Sequence, residues 1–451
     1  MGYHPLETRA VTPHDDLTER LRRANARAMQ RYPGESRRRQ PVHTVYGGAH
    51  LFRADTAQRL GGNARRVLEE YAPDAAALAA AIGLRSEGAA VIRQRVVEKL
   101  EREPVEDFRL DFEDGYGNRP DREEDDHAVA AAREVARGIE ARSLPPFIGI
   151  RIKPLTDELA ERSLRTTEIF LGELLERTAG SLPDNFVVTL PKITSAEQVA
   201  VLAERFSRLE AERRLPHGAL RMELMVETPQ SILDERGVGS LPALVDAGGG
   251  RITAAHFGTY DYTASLGITA AHQHMRHPAC DFARHMMQVL LAGTGVWLCD
   301  GATNVLPVPL HRAGQGEQLP SPQIEANRSA IHRAWKLHYD DVRHSLSHGF
   351  YQGWDLHPAQ LVTRYAAVFA FFLESLEPAS ERLRNFISKA AQATLVGEVF
   401  DDAATGQGLL NFFLRALNCG AVREGEIGEL TGLTLDELRS GSFVKIVRGR
   451  R

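Results

Sequence analysis

The sequence predicts an α/β protein built on a closed (β/α)8 (TIM) barrel, with an N-terminal arm and a C-terminal helical extension. Three observations predict it. Eight short β-rich runs recur along the chain, each ending in polar or charged residues and followed by a helical pattern. Parallel strands need long crossovers, which helices supply, and closing eight of them into a barrel leaves no strand edge unpaired. An open doubly wound sheet would show a glycine-rich phosphate turn after its first strand, and GGAHLF at 47–52 is not GxGxxG.

Residues 1–40 read as an arm outside the main core, with one helical pattern from about Asp15 to Tyr32 and then the basic run Ser36-Arg37-Arg38-Arg39-Gln40. The strand runs are 42–52, 107–117, 146–154, 185–193, 221–229, 252–262, 294–307 and 349–358. Between them apolar residues recur at i, i+3, i+4, as in DHAVAAAREVARGIEAR and SAEQVAVLAERFSRLEAERR. AQLVTRYAAVFAFFLESL supplies the last barrel helix, so the barrel is expected over 41–377. Residues 378–451 read as additional helices ending in the basic tail VKIVRGRR.

The 451 residues are 43% hydrophobic and 25% charged, the proportions of an ordinary globular protein. Fifty-five Lys+Arg against 60 Asp+Glu leave a net charge of -5, too balanced to make nucleic acid or an anionic membrane surface the main partner. The first thirty residues hold no apolar run of signal-peptide length, and no later stretch is apolar for long enough to span a bilayer, so a cytoplasmic protein is expected. Cys280, Cys299 and Cys419 are odd in number, far apart and in no CxxC pair, which argues against disulfides or a thiolate zinc site.

In such a barrel the site lies at the C-terminal ends of the strands, where the βα loops converge. The ends of the runs carry His50; Asp111, Glu113 and Asp114; Arg151 and Lys153; Lys192; Glu227; Asp261; Asp300; and His357. Two of only six lysines fall on adjacent strand ends. Glu227 and Asp261 end neighbouring strands, so two hard anionic oxygens meet at one point, as a Mg2+ or Mn2+ site requires. The plainer alternative is that Glu227 pairs with an arginine and Asp261 caps the next helix. Arg151 likewise has an alternative as the ion-pair partner of Glu113 or Asp114.

Taken in order, DFEDG (111–115), RIKP (151–154), LPK (190–192), VETP (226–229), FGTYDYTASLG (257–267) and LHPAQ (356–360) resemble the HpcH/HpaI aldolase and citrate lyase β-subunit superfamily. That superfamily includes malyl-CoA lyases and is related to malate synthases. The resemblance covers about residues 42–375. It implies a Mg2+-dependent enzyme that makes or breaks a carbon–carbon bond beside a carboxylate through an enolate. It makes Glu227 and Asp261 the metal ligands and Arg151 the group that binds the substrate's carboxylate or enolate oxygen, with Glu113 and Asp114 beside them. His357 and Gln360 then close the last strand. The sequence departs from the family in its length, in Lys153 of RIKP, and in DYTASLG where DLAADLG is more usual.

Lys153 and Lys192 are further candidates for binding the substrate, and His50 and Asp300 for acid–base work. The expected substrate is a small 2-hydroxy or 2-oxo acid, free or as a CoA thioester, acted on by a homo-oligomer. Two alternatives remain: a malate synthase-like condensation of an acyl-CoA with glyoxylate, and an imine-forming aldolase using Lys153 or Lys192. A barrel without activity, serving as a scaffold, is the third. His272, His274, His277 and His285 invite a zinc reading, but no HExxH is present and packing roles are expected for them. No GxSxG turn or GxxxxGK[ST] loop occurs.

Overall fold

The computed structural model describes residues 13–34, 36, 38–314, 316–393 and 403–450. Its eight strands are β1 (His43–Gly48), β2 (Asp107–Asp111), β3 (Phe147–Arg151), β4 (Phe186–Leu190), β5 (Arg221–Val226), β6 (Ile252–Phe257), β7 (Trp297–Ala302) and β8 (Gln352–Asp355). Each lies inside one of the runs read from the sequence. They pair in chain order, all parallel, and β8 returns to β1 to close the barrel.

The helices are α1 (Pro13–Arg31), α2 (Thr56–Tyr71), α3 (Ala75–Ile82), α4 (Ala89–Arg102), α5 (Asp121–Ala141), α6 (Ala160–Arg177), α7 (Ala196–Arg213), α8 (Pro229–Ile232), α9 (Leu241–Ala247), α10 (Thr259–Ser265), α11 (Pro278–Leu291), α12 (Ser321–Ser347), α13 (Gln360–Glu374), α14 (Leu376–Ala393), α15 (Ala403–Cys419), α16 (Ile427–Thr431), α17 (Leu435–Arg439) and α18 (Phe443–Gly449). A Ser195 capping box with Gln198 starts α7, and Pro229 in the first turn starts α8 behind the Thr228 cap. Among the described residues no helix is long and apolar enough to cross a membrane.

Alternation along the strands separates two layers. Leu110, Ile148, Ile150, Val188, Leu224 and Val226 are fully buried and join the apolar layer shared by strands and helices. The opposite faces fill the barrel interior with polar groups. Arg109 donates to Glu223 at 2.6 and 3.0 Å, to Thr189 at 3.1 Å, and to Asp107. Thr44 donates to Asp107 at 2.8 Å, and the Tyr46 hydroxyl meets His256 Nδ1 at 3.2 Å. This network is buried beneath the mouth.

The basic run is anchored below the barrel. Arg39 pairs with Glu103 at 2.6 Å and Glu106 at 3.0 Å, and Lys99 adds a 2.6 Å contact to Glu106. Arg37 lies outside the described residues. The last helices continue the same apolar core, through Leu383, Phe413 and Ile446. Cys280, Cys299 and Cys419 are buried free thiols.

Candidate active site at the barrel mouth

The DFEDG segment turns on its first residue. Asp111 accepts the Glu113 amide at 3.0 Å and the Gly115 amide at 2.7 Å, a closed loop that throws the Glu113 and Asp114 side chains over the strand ends. Asp111 stands beside Arg151 in the β2–β3 register and takes its guanidinium in a two-point contact of 2.7 and 2.5 Å. The remaining nitrogen, Nη1, reaches Glu113 at 3.2 Å and Asp114 at 3.8 Å. The alternative read from the sequence is therefore realised in part, with Asp111 as the main partner. Tyr46 and Trp354 support the guanidinium from below, with ring centroids 4.9 and 5.8 Å away.

Lys192 joins the two halves of the opening. Its backbone sits at φ 50°, a left-handed conformation that is costly for a side chain with a Cβ. That turn aims its amide at Glu227 Oε1, 2.7 Å away. Its ammonium pairs with Glu113, with Asp114 at 3.3 Å and with Asp261 at 3.7 Å. These carboxylates push the Lys192 pKa up, against the effect of burial.

Glu227 is 2% exposed, and among the described residues the hydrogen bond it accepts comes from the Lys192 amide, with no ion pair to an arginine. Burial, and then the charge of Asp261, raise its pKa to about 7. The chain passes directly over this carboxylate at Gly258, where any Cβ would collide with Glu227 Oε2. Asp261 lies in the first turn of α10, and Gly258 is the residue at the cap position. The loop after β5 and the start of α10 thus present two carboxylates to one opening.

The other candidates go elsewhere. Lys153 points behind β3, giving its ammonium to the Phe112 carbonyl at 2.6 Å and to Glu124 at 2.9 Å, both away from the cluster. Past the strand end the pleat no longer dictates direction, and a buried carboxylate on α5 captures the lysine. Asp300 corrects the expectation in the same way. It lies in the helix layer, held by Arg284 at 2.8 and 2.9 Å and by Ser345 at 2.5 Å. His50 lies in the short turn after β1, with its ring 5.4 Å from that of Tyr116 and 5.7 Å from that of His127. Gln360 accepts the Leu356 and His357 amides and donates to the Thr303 carbonyl, tying off the end of β8.

Sequence reading passed over Tyr46 and Trp354. Their signal was the alternation in VHTVYGG and QGWD, which puts both on inward positions of neighbouring strands. His277 caps α11 by accepting the Ala279 amide, so it is a packing residue as expected. Among the described residues, the group whose donor atoms cluster as three or more His, Cys, Asp or Glu is Asp281, His344 and His348, between α11 and α12.

The chain is similar in structure to a citrate lyase from Burkholderia xenovorans LB400, with a TM-score of 0.52 and 17% identity over 85% of this chain and 96% of that one. It also aligns with a malate synthase from Haloferax volcanii solved as a magnesium/glyoxylate complex (TM-score 0.45, 14% identity, 84% and 99% covered). A third is an HpcH/HpaI aldolase/citrate lyase family protein from Burkholderia cenocepacia J2315 (TM-score 0.39, 11% identity, 80% and 99% covered). At these identities the likeness is one of fold. No curated protein matches the chain. A family model described as a domain of unknown function, DUF6986, matches residues 21–446, and the chain belongs to that family.

Proposed function

We propose that the protein is a carbon–carbon lyase or aldolase of the citrate lyase type, dependent on Mg2+ or Mn2+ and acting on a small 2-hydroxy or 2-oxo acid or its CoA thioester. One observation carries the reading. Five carboxylates (Asp111, Glu113, Asp114, Glu227 and Asp261) converge with only two cations (Arg151 and Lys192) at the end of the barrel where such folds place their chemistry. The excess is concentrated on Glu227 and Asp261, the pair with hard oxygen donors, where Lys192 stands 3.7 Å from Asp261.

Those two residues fit a divalent cation, since Glu227 keeps Oε2 clear of hydrogen bonds over Gly258 and Asp261 stands 43% exposed beside it. When bound, the cation supplies Lewis-acid stabilisation of negative charge developing on a carbonyl oxygen. The chain's own residues do the rest. Arg151, locked by Asp111, presents Nη1 to the opening, where an anionic substrate oxygen replaces its looser contact with Glu113. Lys192 screens the repulsion between Glu113, Asp114 and Asp261, and its amide fixes the rotamer of Glu227. Tyr46 and Trp354 floor the opening with apolar surface and exclude water from beneath the guanidinium.

The imine alternative loses support. Lys153 is buried against Glu124, and Lys192 is held protonated by the carboxylates around it, whereas imine formation needs a neutral amine. The test is turnover of 2-hydroxy acids and their CoA thioesters in Mg2+, followed as release of a 2-oxo acid or of a free thiol with acetyl-CoA and glyoxylate. Chelation with EDTA abolishes activity, and borohydride traps no substrate on the protein. Glu227→Ala and Asp261→Ala stay folded with much weaker Mg2+ binding, and Arg151→Ala keeps the metal but loses turnover. Activity that survives thorough chelation overturns the metal assignment.

A further inference from the structure

We propose a second metal site, of zinc type, formed by Asp281, His344 and His348 on the outside of the barrel, where it staples α11 to α12. Asp281 and His285 are four residues apart on α11, and His344 and His348 are four apart at the end of α12, so each pair shares one helix face. Both helices lead from one parallel strand to the next and run in the same direction, which sets the two faces side by side. The His344 Nε2 lies 2.9 Å from Asp281 Oδ1, and the His344 and His348 rings lie 4.2 Å apart.

The donor atoms of the three residues lie within 4.8 Å of one another. A tetrahedral shell with ligands at ~2.0–2.1 Å has an edge of roughly 3.4 Å, so small side-chain rotations close the site. Its surroundings already orient the ligands. His348 Nδ1 meets the His344 carbonyl at 2.8 Å; a carbonyl only accepts, so Nδ1 carries the proton and Nε2 is left with its lone pair. Arg284 donates to the same Asp281 Oδ1 at 2.7 Å, fixing the carboxylate in place, and Arg284 is itself neutralised by Asp300. The hydrogen that bridges His344 Nε2 and Asp281 occupies the position an ion takes, and an ion there binds the tautomer of His344 with its proton on Nδ1. His285, with its ring 5.9 Å from that of His348, supplies a fourth donor by rotation.

Two imidazoles and a carboxylate select a transition metal over Mg2+, whereas Glu227 and Asp261 offer oxygen alone. The two sites are therefore separable by metal and by mutation. His344 and Asp281 are 21% and 30% exposed, so an ion enters from solvent without opening the core.

The experiment uses the full chain, stripped with chelator and titrated with zinc sulfate in excess Mg2+, with metal content and Tm as readouts. One equivalent of zinc is retained through gel filtration, Tm rises, and Asp261→Asn binds it unchanged. His344→Ala and His348→Ala each weaken zinc binding by about tenfold or more. Cobalt(II) bound in zinc's place gives the strong visible bands of a four-coordinate site in the wild-type protein, a readout that does not depend on the variants folding. Zinc uptake by both His344→Ala and His348→Ala identical to that of the wild type, or no zinc retained by the wild type, overturns the proposal.

Discussion

Two clusters of charge share the barrel axis and are built by opposite rules. In the interior, Arg109 is enclosed by Glu223 and Asp107, with Thr189 donating to Glu223 at 3.0 Å, and charge is close to balanced. At the mouth, carboxylates outnumber cations, Asp261 is partly exposed, and Glu227 is buried without a cation of its own. The interior network pairs its charges within the protein. The mouth is left for something else to complete, and this difference separates a structural use of charge from a ligand-directed one.

The largest effect expected from breaking the comparison is on the interior side. Glu223→Ala takes from the buried Arg109 guanidinium its two-point partner and leaves it Asp107 and Thr189, and removing one partner of such a buried ion pair costs about 3–5 kcal/mol. Urea denaturation measures it directly. A loss below the ~1 kcal/mol of an ordinary surface pair would show that water reaches Arg109 and that the interior is no more closed than the mouth.

At the mouth the sign reverses. The Glu227 carboxyl has a folded pKa of about 7 against an ordinary 4.5, so between those values the folded protein holds a proton that the unfolded chain releases. Metal-free stability therefore falls as pH rises from about 4.5 to about 7 and stays at its lower value above that. Glu227→Gln removes the penalty, so the metal-free variant gains on the order of 1–3 kcal/mol at pH 8 while losing Mg2+ binding. For the same reason wild-type Mg2+ affinity climbs by up to about tenfold per pH unit below 7 and then levels off. Calorimetric Mg2+ titrations from pH 5.5 to 8.5, paired with melts of both proteins, check sign and window together. A variant less stable than the wild type at pH 8 would mean that a neighbouring cation already neutralises Glu227.

These contrasts also explain what the sequence could disclose. All eight strands were legible because short β-rich runs bounded by polar ends are a local signal, and barrel closure follows from their number. Glu227, Asp261, Arg151, Glu113, Asp114 and Lys192 were legible as strand-end residues, and the structure brings them to one opening. Lys153 and Asp300 were not, because direction at a strand end depends on what waits on each side. Glu124 takes Lys153, and Arg284 with Ser345 takes Asp300, partners 16 to 45 residues away in the chain. The Asp281–His344 contact was hidden for the same reason, being formed between helices 63 residues apart.

The smallest expected effect sharpens the boundary of the mouth. His50 stands at the end of β1, yet its ring packs with Tyr116 and His127, and burial followed by the charge of Arg119 lowers its pKa. A neutral imidazole packed in this way contributes little beyond its ring contacts, so His50→Ala costs about 1 kcal/mol or less. Mg2+ affinity stays at the wild-type value, because no carboxylate of the mouth touches the ring. Turnover is the deciding quantity: retained kcat puts His50 in the scaffold, beside Asp300. A kcat lowered by about 100-fold or more at unchanged Mg2+ affinity would make the imidazole the acid–base group and extend the site across β1.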